Sequence, residues 1–360
     1  MGPVGKFIIL SNRLALIAAV VLVGKPAAAA EFIEKAPIIV EKFQATEALE
    51  AEARQRSSYG PYVSRATRNP TERDSGHDEA LLFMNNVNFR LFGSIGFLAE
   101  KLVVAARAND PRQPIVIDDP KSFGLTVLNG RLLVSTTSLT ELLNTHVFNF
   151  EGAPLRGIKV SATPGRLIIA GEVNRRGKWI NLTMEGTIAL ANSTTLAFNP
   201  VEISIEGKSI AELLTIANVD LDELLTLKAT GVELVKSTLY LRPDLLFPPP
   251  ALAIALKAVS VDERGLFLEA ASAHNPSFPG LIEQRESYIL IKGGDVKFFN
   301  VMPTNILMEI VSLKSASRLD FSLYDYRSQI AGGFLKFRPN GAIVAHLKDY
   351  SELQAGEKLQ

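Results

Sequence analysis

The chain has 360 residues, 47% hydrophobic and 21% charged, which excludes a disordered polymer and leaves room for two domains or one large β-rich body. Its 38 basic residues balance 38 acidic ones, so the electrostatic footprint of a nucleic-acid binder is excluded. Cysteine is absent, which excludes disulfides, thiolate metal sites and cysteine nucleophiles, and leaves apolar burial to hold the fold.

At the N-terminus, Lys6 and Arg13 precede an apolar run from Leu14 to Val23, Pro26 and then Ala27 to Ala30. A basic start, a short apolar run and small residues at the end form a secretory signal, so residues 1–30 are expected to direct export to the periplasm or cell envelope, with cleavage after Ala30. An uncleaved anchor is the weaker reading, because Ser11, Asn12 and Arg13 interrupt it and a span needs about 20 apolar residues. Residues 31–56, rich in Ala, Glu and Lys, fit a loosely amphipathic helix, read as a weakly docked tether, with a partner-binding or membrane-surface element as the alternative. Residues 57–80 carry almost no large aliphatics and read as a linker.

The folded body is expected over 81–350, with 81–286 as its main part, 287–350 as a continuing β-rich section and 351–360 as a tail. Val87, Phe89 and Leu91 alternate with polar neighbours and predict a strand. Residues 97–107 fit either a strand or a helix. Asn129-Gly130 between the apolar runs 125–128 and 132–134 predicts a hairpin turn. Asp118 and Asp119 are adjacent and lead into Pro120, which reads as a turn rather than an acid/base or metal pair. Ser138 with Glu141 forms a capping box before Leu139, Leu142, Leu143 and Val147. His146 has no second ligand at metal spacing and reads as a helix-end histidine.

Residues 154–206 carry the clearest signal. Ile180, Leu182, Met184, Ile188 and Leu190 occupy every second position of one register, with Asn181, Thr183, Glu185 and Thr187 in the other. Ile158 with Val160, Leu167 with Ile169, and Val201, Ile203 and Ile205 behave alike, which predicts one broad antiparallel sheet with an apolar face and a wet face. A second capping box at Ser209 and Glu212 echoes the first, and glycines at 157 and 231 open the strands that follow. The unit therefore repeats as strand, helix, strand, strand. The predicted class is α+β, mostly β: a long curved antiparallel sheet wrapped against a few short helices.

Leu245, Leu246 and Phe247 before Pro248 to Pro250 read as a rigid crossover on the core, or else as a membrane-facing loop. Strands continue over 288–291, 296–299, 306–313, 319–323, 334–337 and 343–347. Tyr324, Asp325 and Tyr326 read as a strand end with amphipathic aromatics. His77, His146, His274 and His346 show no metal spacing, and no nucleophile, phosphate-loop or zinc motif is present. A hydrolase using carboxylates gathered only by folding stays a minor alternative.

Gly130-Arg131-Leu132-Leu133-Val134-Ser135, Gly157-Ile158-Lys159-Val160, residues 165–171, Trp179 with its strand, and the Ser209 segment together resemble the LmeA-type phospholipid-binding proteins of bacterial envelopes, which are similar to tubular lipid-binding (TULIP) folds. The resemblance spans roughly residues 85–270 and rests on strand spacing and glycines. It implies a strongly curved sheet wrapped against helices with an apolar groove for lipid acyl chains, and the expected function is that of a non-catalytic protein, without cofactor or metal, that holds or carries a phospholipid or similar amphiphile and makes peripheral membrane contact. The expected groove lining is Val87, Phe89, Leu91, Ile158, Val160, Leu167, Ile169, Ile180, Leu182, Met184, Ile188, Leu190, Ile203 and Ile205. Arg175, Arg176 and Lys178 are the candidate headgroup residues. The alternative is that the same apolar residues close into a dry core and the protein is an envelope scaffold with a protein partner.

Overall fold

A computed structural model describes residues 78–357 apart from 176, 226, 273–275, 284, 315 and 316. The expected export signal, the 31–56 helix, the linker up to residue 77, Arg176, His77 and His274 lie outside the described residues.

Strands β1 (Glu79–Phe92) and β2 (Ile95–Ala108) form a long hairpin. β3 (Ile115–Val116) precedes β4 (Phe123–Ser135), which runs into helix α1 (Thr136–Leu142) and a π-helical turn (Leu143–Val147). A meander follows: β5 (Leu155–Thr163), β6 (Arg166–Arg175), β7 (Lys178–Asn192) and β8 (Thr195–Ile205). Then come β9 (Lys208–Ser209), α2 (Ala211–Ala217), α3 (Leu221–Leu224), β10 (Lys228–Ala229), β11 (Val232–Val235), β12 (Thr238–Leu241) and α4 (Pro243–Leu246). The chain finishes with β13 (Ala251–Ile254), β14 (Leu256–Asp262), β15 (Gly265–Ala271), β16 (Tyr288–Lys297), β17 (Thr304–Ser312), β18 (Asp320–Ser322), α5 (Tyr326–Ala331), β19 (Phe334–Phe337), β20 (Ile343–Leu347) and α6 (Tyr350–Glu357). The class is α+β and mostly β, and the strand, helix, strand, strand order recurs after β4 and after β8. Gly157, expected to open a strand, lies inside β5, and Gly231 immediately precedes β11; both have positive φ, 59° and 74°. The expected tail holds α6, whose start is fixed by Glu352 and Leu353 N–H groups donating to the Asp349 carbonyl.

The strands form two sheets rather than one. The larger runs β14-β15-β4-β2-β1-β16-β17-β20-β19, with β3, β13 and β18 added beside it; the smaller runs β10-β11-β12-β8-β7-β6-β5. The smaller sheet is antiparallel throughout, whereas β3, β13, β18 and β20 join the larger one in parallel. Parallel pairing requires a crossover connection, and β18, α5 and β19 lie within the one that joins β17 to β20. The sheets are stitched together at β14, where Leu256 donates to the Ser193 carbonyl over 2.7 Å and Gly165 donates to the Val261 carbonyl over 3.0 Å. One core cluster runs through both.

The centre of the larger sheet is apolar on both faces. Leu82, Met84, Leu102, Val104, Ile289 and Ile291 face the main core, while Leu81, Phe83, Val103, Ala105 and Leu290 form a second cluster on the other side. Double burial erases the alternation that marks a half-buried strand, which is why residues 97–107 fit two element types and prove to be β2. The second cluster is roofed by Phe278, Leu281 and Ile282, part of a strap held by Glu309. The Glu309 Oε2 accepts the N–H groups of Ile282 and Glu283 at 2.6 and 2.9 Å.

Three local expectations are corrected. Asn129-Gly130 is not a turn: β4 passes straight through it, paired with β2 on one side and β15 on the other. Gly130 has φ 124°, and a Cβ there would sit 2.0 Å from the Lys101 carbonyl oxygen, so the glycine serves a bulge with close backbone approach. The first helix is capped by Ser135, whose hydroxyl accepts from the Ser138 N–H. The Ser138 hydroxyl instead bonds both the N–H and the carbonyl of Gly96, at 3.0 and 2.7 Å. Ser209 lies in β9, and the capping box falls later, at Asp220 and Glu223.

Candidate functional site: an apolar cavity in the larger sheet

Alternate residues of the larger sheet's inner face, with α5 and the loop after β3, enclose a cavity. Its walls include Leu82 and Phe89 from β1, Ala106 from β2, Ile289 and Ile291 from β16, Met308 and Ile310 from β17, Phe321 from β18, Ile330 from α5 and Ala345 and Leu347 from β20. Tyr326 is the only lining residue with a polar side-chain atom. About 60 Å³ between these walls admits the centre of a water-sized sphere. By that measure one water needs about 10–15 Å³, so the space suits about five water-sized groups. A lining of this kind stays dry and accepts apolar guests.

A polar cluster adjoins the cavity at Tyr326. Tyr326 donates its hydroxyl to Asp118 Oδ1 over 2.8 Å, and Arg327 Nε donates to the same oxygen over 2.6 Å. The Asp118 side chain is fully buried. Burial, then the Asp118 charge, raise the Tyr326 phenol above its ordinary pKa, so it stays protonated and donating. The hydrogen bond to Asp118 raises the Arg327 guanidinium. Burial lowers the nearby Lys297 ammonium, with the Asp118 charge acting against it. The Asp118 Oδ2 has no hydrogen-bond partner among the described residues. The reading of Asp118 as a plain turn residue and of Tyr326 as a strand-end aromatic missed this pair. Their 208-residue separation leaves no local signal.

Of the fourteen expected lining residues, Phe89 alone lines this cavity. Val87 and Leu91 are buried in β1 beside it. The others do share one face of the smaller sheet: register puts Val160, Ile169, Met184 and Ile203 in a single row. That face is packed, however. Ile158, Val160, Leu167, Leu182, Met184, Ile203 and Ile205 are buried, and Ile169, Ile180, Ile188 and Leu190 are half-buried against the same core. The expected headgroup turn is not a trio of exposed cations. Lys178 is exposed, but Arg175 is 5% exposed, and burial lowers its pKa to about 10. In the proline-rich segment Leu246 is buried, Phe247 half-buried and Leu245 exposed, and the Tyr324 hydroxyl donates to the Pro249 carbonyl over 2.8 Å. That segment packs on the core as a crossover.

Among the described residues, no group of three or more His, Asp or Glu side chains is arranged to hold a metal ion, and no helix is long and apolar enough to cross a membrane. No protein-family model, curated protein or solved structure matches the chain.

Proposed function

We propose that this protein is an exported, non-catalytic binding protein that holds or carries an amphiphile, with the apolar end of the ligand in the cavity of the larger sheet. The observation that carries the reading is a cavity whose lining is apolar apart from one tyrosine hydroxyl. Each buried methylene is worth about 0.8 kcal/mol, so five of them give about 4 kcal/mol, roughly a millimolar dissociation constant. Tail burial alone is therefore weak at this size, and useful affinity needs either contacts to the head or a parting of the walls around a longer chain. The resemblance to LmeA-type and TULIP proteins supports a phospholipid or similar lipid as the amphiphile.

The packed face of the smaller sheet favours a second reading. There the protein is an envelope scaffold with a closed interior, and its partner docks on residues 31–56. Organic extraction of gently purified protein, followed by mass spectrometry, separates the two. A stoichiometric amphiphile, lost when Ala106→Leu narrows the cavity, supports carriage. Repeated absence of any amphiphile from well-folded protein overturns it in favour of the scaffold.

A further inference from the structure

We propose that a cleft at the end of the β1–β2 hairpin, beside α1, is a binding site for a phosphate-type oxyanion. The cleft offers about 440 Å³ to the centre of a water-sized sphere and is lined by twelve residues, three of them arginines (Arg90, Arg264 and Arg318) and none of them acidic. The comparably roomy cleft beside Lys101 and Arg131 contains its own carboxylate, Glu269, and Arg131 pairs with Glu269 and Glu100. In that second cleft the arginine already has carboxylates beside it.

The three arginines differ in what holds them. Arg90 gives its Nε and one terminal nitrogen to Asp320, at 2.5 and 3.2 Å. Arg264 gives its Nε and one terminal nitrogen to Asp262, at 3.0 and 2.9 Å. Arg318 is aimed by a neutral group: its Nε donates to the Asn86 Oδ1 over 2.8 Å, and no carboxylate among the described residues pairs with it. The cleft thus holds one guanidinium without a counter-charge, flanked by two that each pair with a carboxylate outside its lining. Planar guanidinium forks bind phosphate through paired N–H groups, and an oxyanion here would supply the missing charge.

The cleft adjoins the apolar cavity. Phe89 belongs to the lining of both. Its ring lies 5.4 Å from Phe97, which lines the cleft, and 5.4 Å from Phe321, which lines the cavity. The anion is therefore either the head of an amphiphile whose tail lies past Phe89, or a free phosphate. The site itself does not depend on the cavity being occupied.

The test titrates the full chain at fixed ionic strength with inorganic phosphate, and separately with phosphatidylcholine vesicles lacking or containing phosphatidic acid. Arg318→Gln and Arg264→Gln remove cleft charge at exposed positions. Arg112→Gln removes the same charge elsewhere, from a surface pair whose arginine side chain is 86% exposed. The expected result is saturable binding weakened about fivefold or more by the two cleft variants and unchanged by the control. A preference for phosphatidic acid identifies a lipid head, and binding of inorganic phosphate alone identifies a free anion. No binding of either probe, or equal loss in Arg112→Gln, overturns the proposal. Because the readout is anion binding, it fails or succeeds independently of whether organic extraction finds a tail in the cavity.

Discussion

Tyr326 and Asp118 meet through a 2.8 Å hydrogen bond across 208 residues of sequence, tying the start of α5 to the loop after β3 beside the cavity. The donor is almost fully buried and the acceptor's side chain is fully buried, so neither has water to fall back on. Tyr326→Phe should therefore cost about 1.5–3 kcal/mol, the range for a hydrogen bond to a charged group. A lowered urea midpoint at unchanged slope checks it. A midpoint equal to that of the parent protein would show that Arg327 alone satisfies the aspartate.

Glu309 fastens the strap over the outer face of the larger sheet. It is fully buried, and two backbone N–H groups converge on one of its oxygens. Glu309→Ala should raise hydrogen exchange selectively at Ile282 and Glu283 and lower stability by about 2–4 kcal/mol, since two charge-assisted bonds are lost and two donors are orphaned. Amide exchange read by mass spectrometry decides the matter. Protection unchanged at both amides would mean the strap is held by Phe278 and Leu281 instead.

His346 lies buried beneath the Phe334 ring, 4.4 Å between centroids, with Glu283 3.5 Å from its Nε2 and Lys336 and Arg285 nearby. Burial lowers its pKa from the ordinary 6.5, so between the lowered value and 6.5 the unfolded chain binds more protons than the folded one. Its contribution to stability therefore rises with pH across that window and is lost on acidification. Glu309 acts in the opposite sense. Burial raises its carboxyl above 4.5, so the folded state holds the extra proton and stability falls as pH climbs from 4.5 through the raised value. In urea titrations at a series of pH values, His346→Gln should flatten the slope just below pH 6.5. If the variant keeps the slope of the parent protein, another group is responsible.

Gly130 is required twice, by its φ of 124° and by the Lys101 carbonyl oxygen 2.0 Å from the position a Cβ would take. Gly130→Ala should destabilise by about 2–4 kcal/mol through backbone strain and loss of β2–β4 pairing. Gly165→Ala, with positive φ but open space around it, should cost less. Paired thermal melts of the two variants separate steric approach from strain alone.

The meander β5–β8 was legible because one of its faces is wet, so period-two alternation survives from Leu167 through Ile205. The larger sheet was harder to read. Its central strands bury both faces, so runs such as Leu81 to Met84 and Val103 to Ala106 carry no period. Asn129-Gly130 has the composition of a hairpin turn, yet tertiary pairing on both edges of β4 overrides the local preference. The cavity was not legible at all. Its walls come from Leu82, Ala106, Ile289, Met308 and Ala345, residues that no window of sequence brings together, and the apolar face that sequence did reveal is filled by its own packing.

Ser287 donates its hydroxyl to the Asn86 carbonyl, 201 residues away, and β1 pairs with β16 immediately alongside. During synthesis, β1 and β2 emerge with one ladder of backbone groups unmatched and must wait for the final quarter of the polypeptide before that ladder closes. Folding dominated by such distant pairing is slow. For most of its time on the ribosome the chain exposes an open strand border, and a helper that shields nascent segments would find its substrate there.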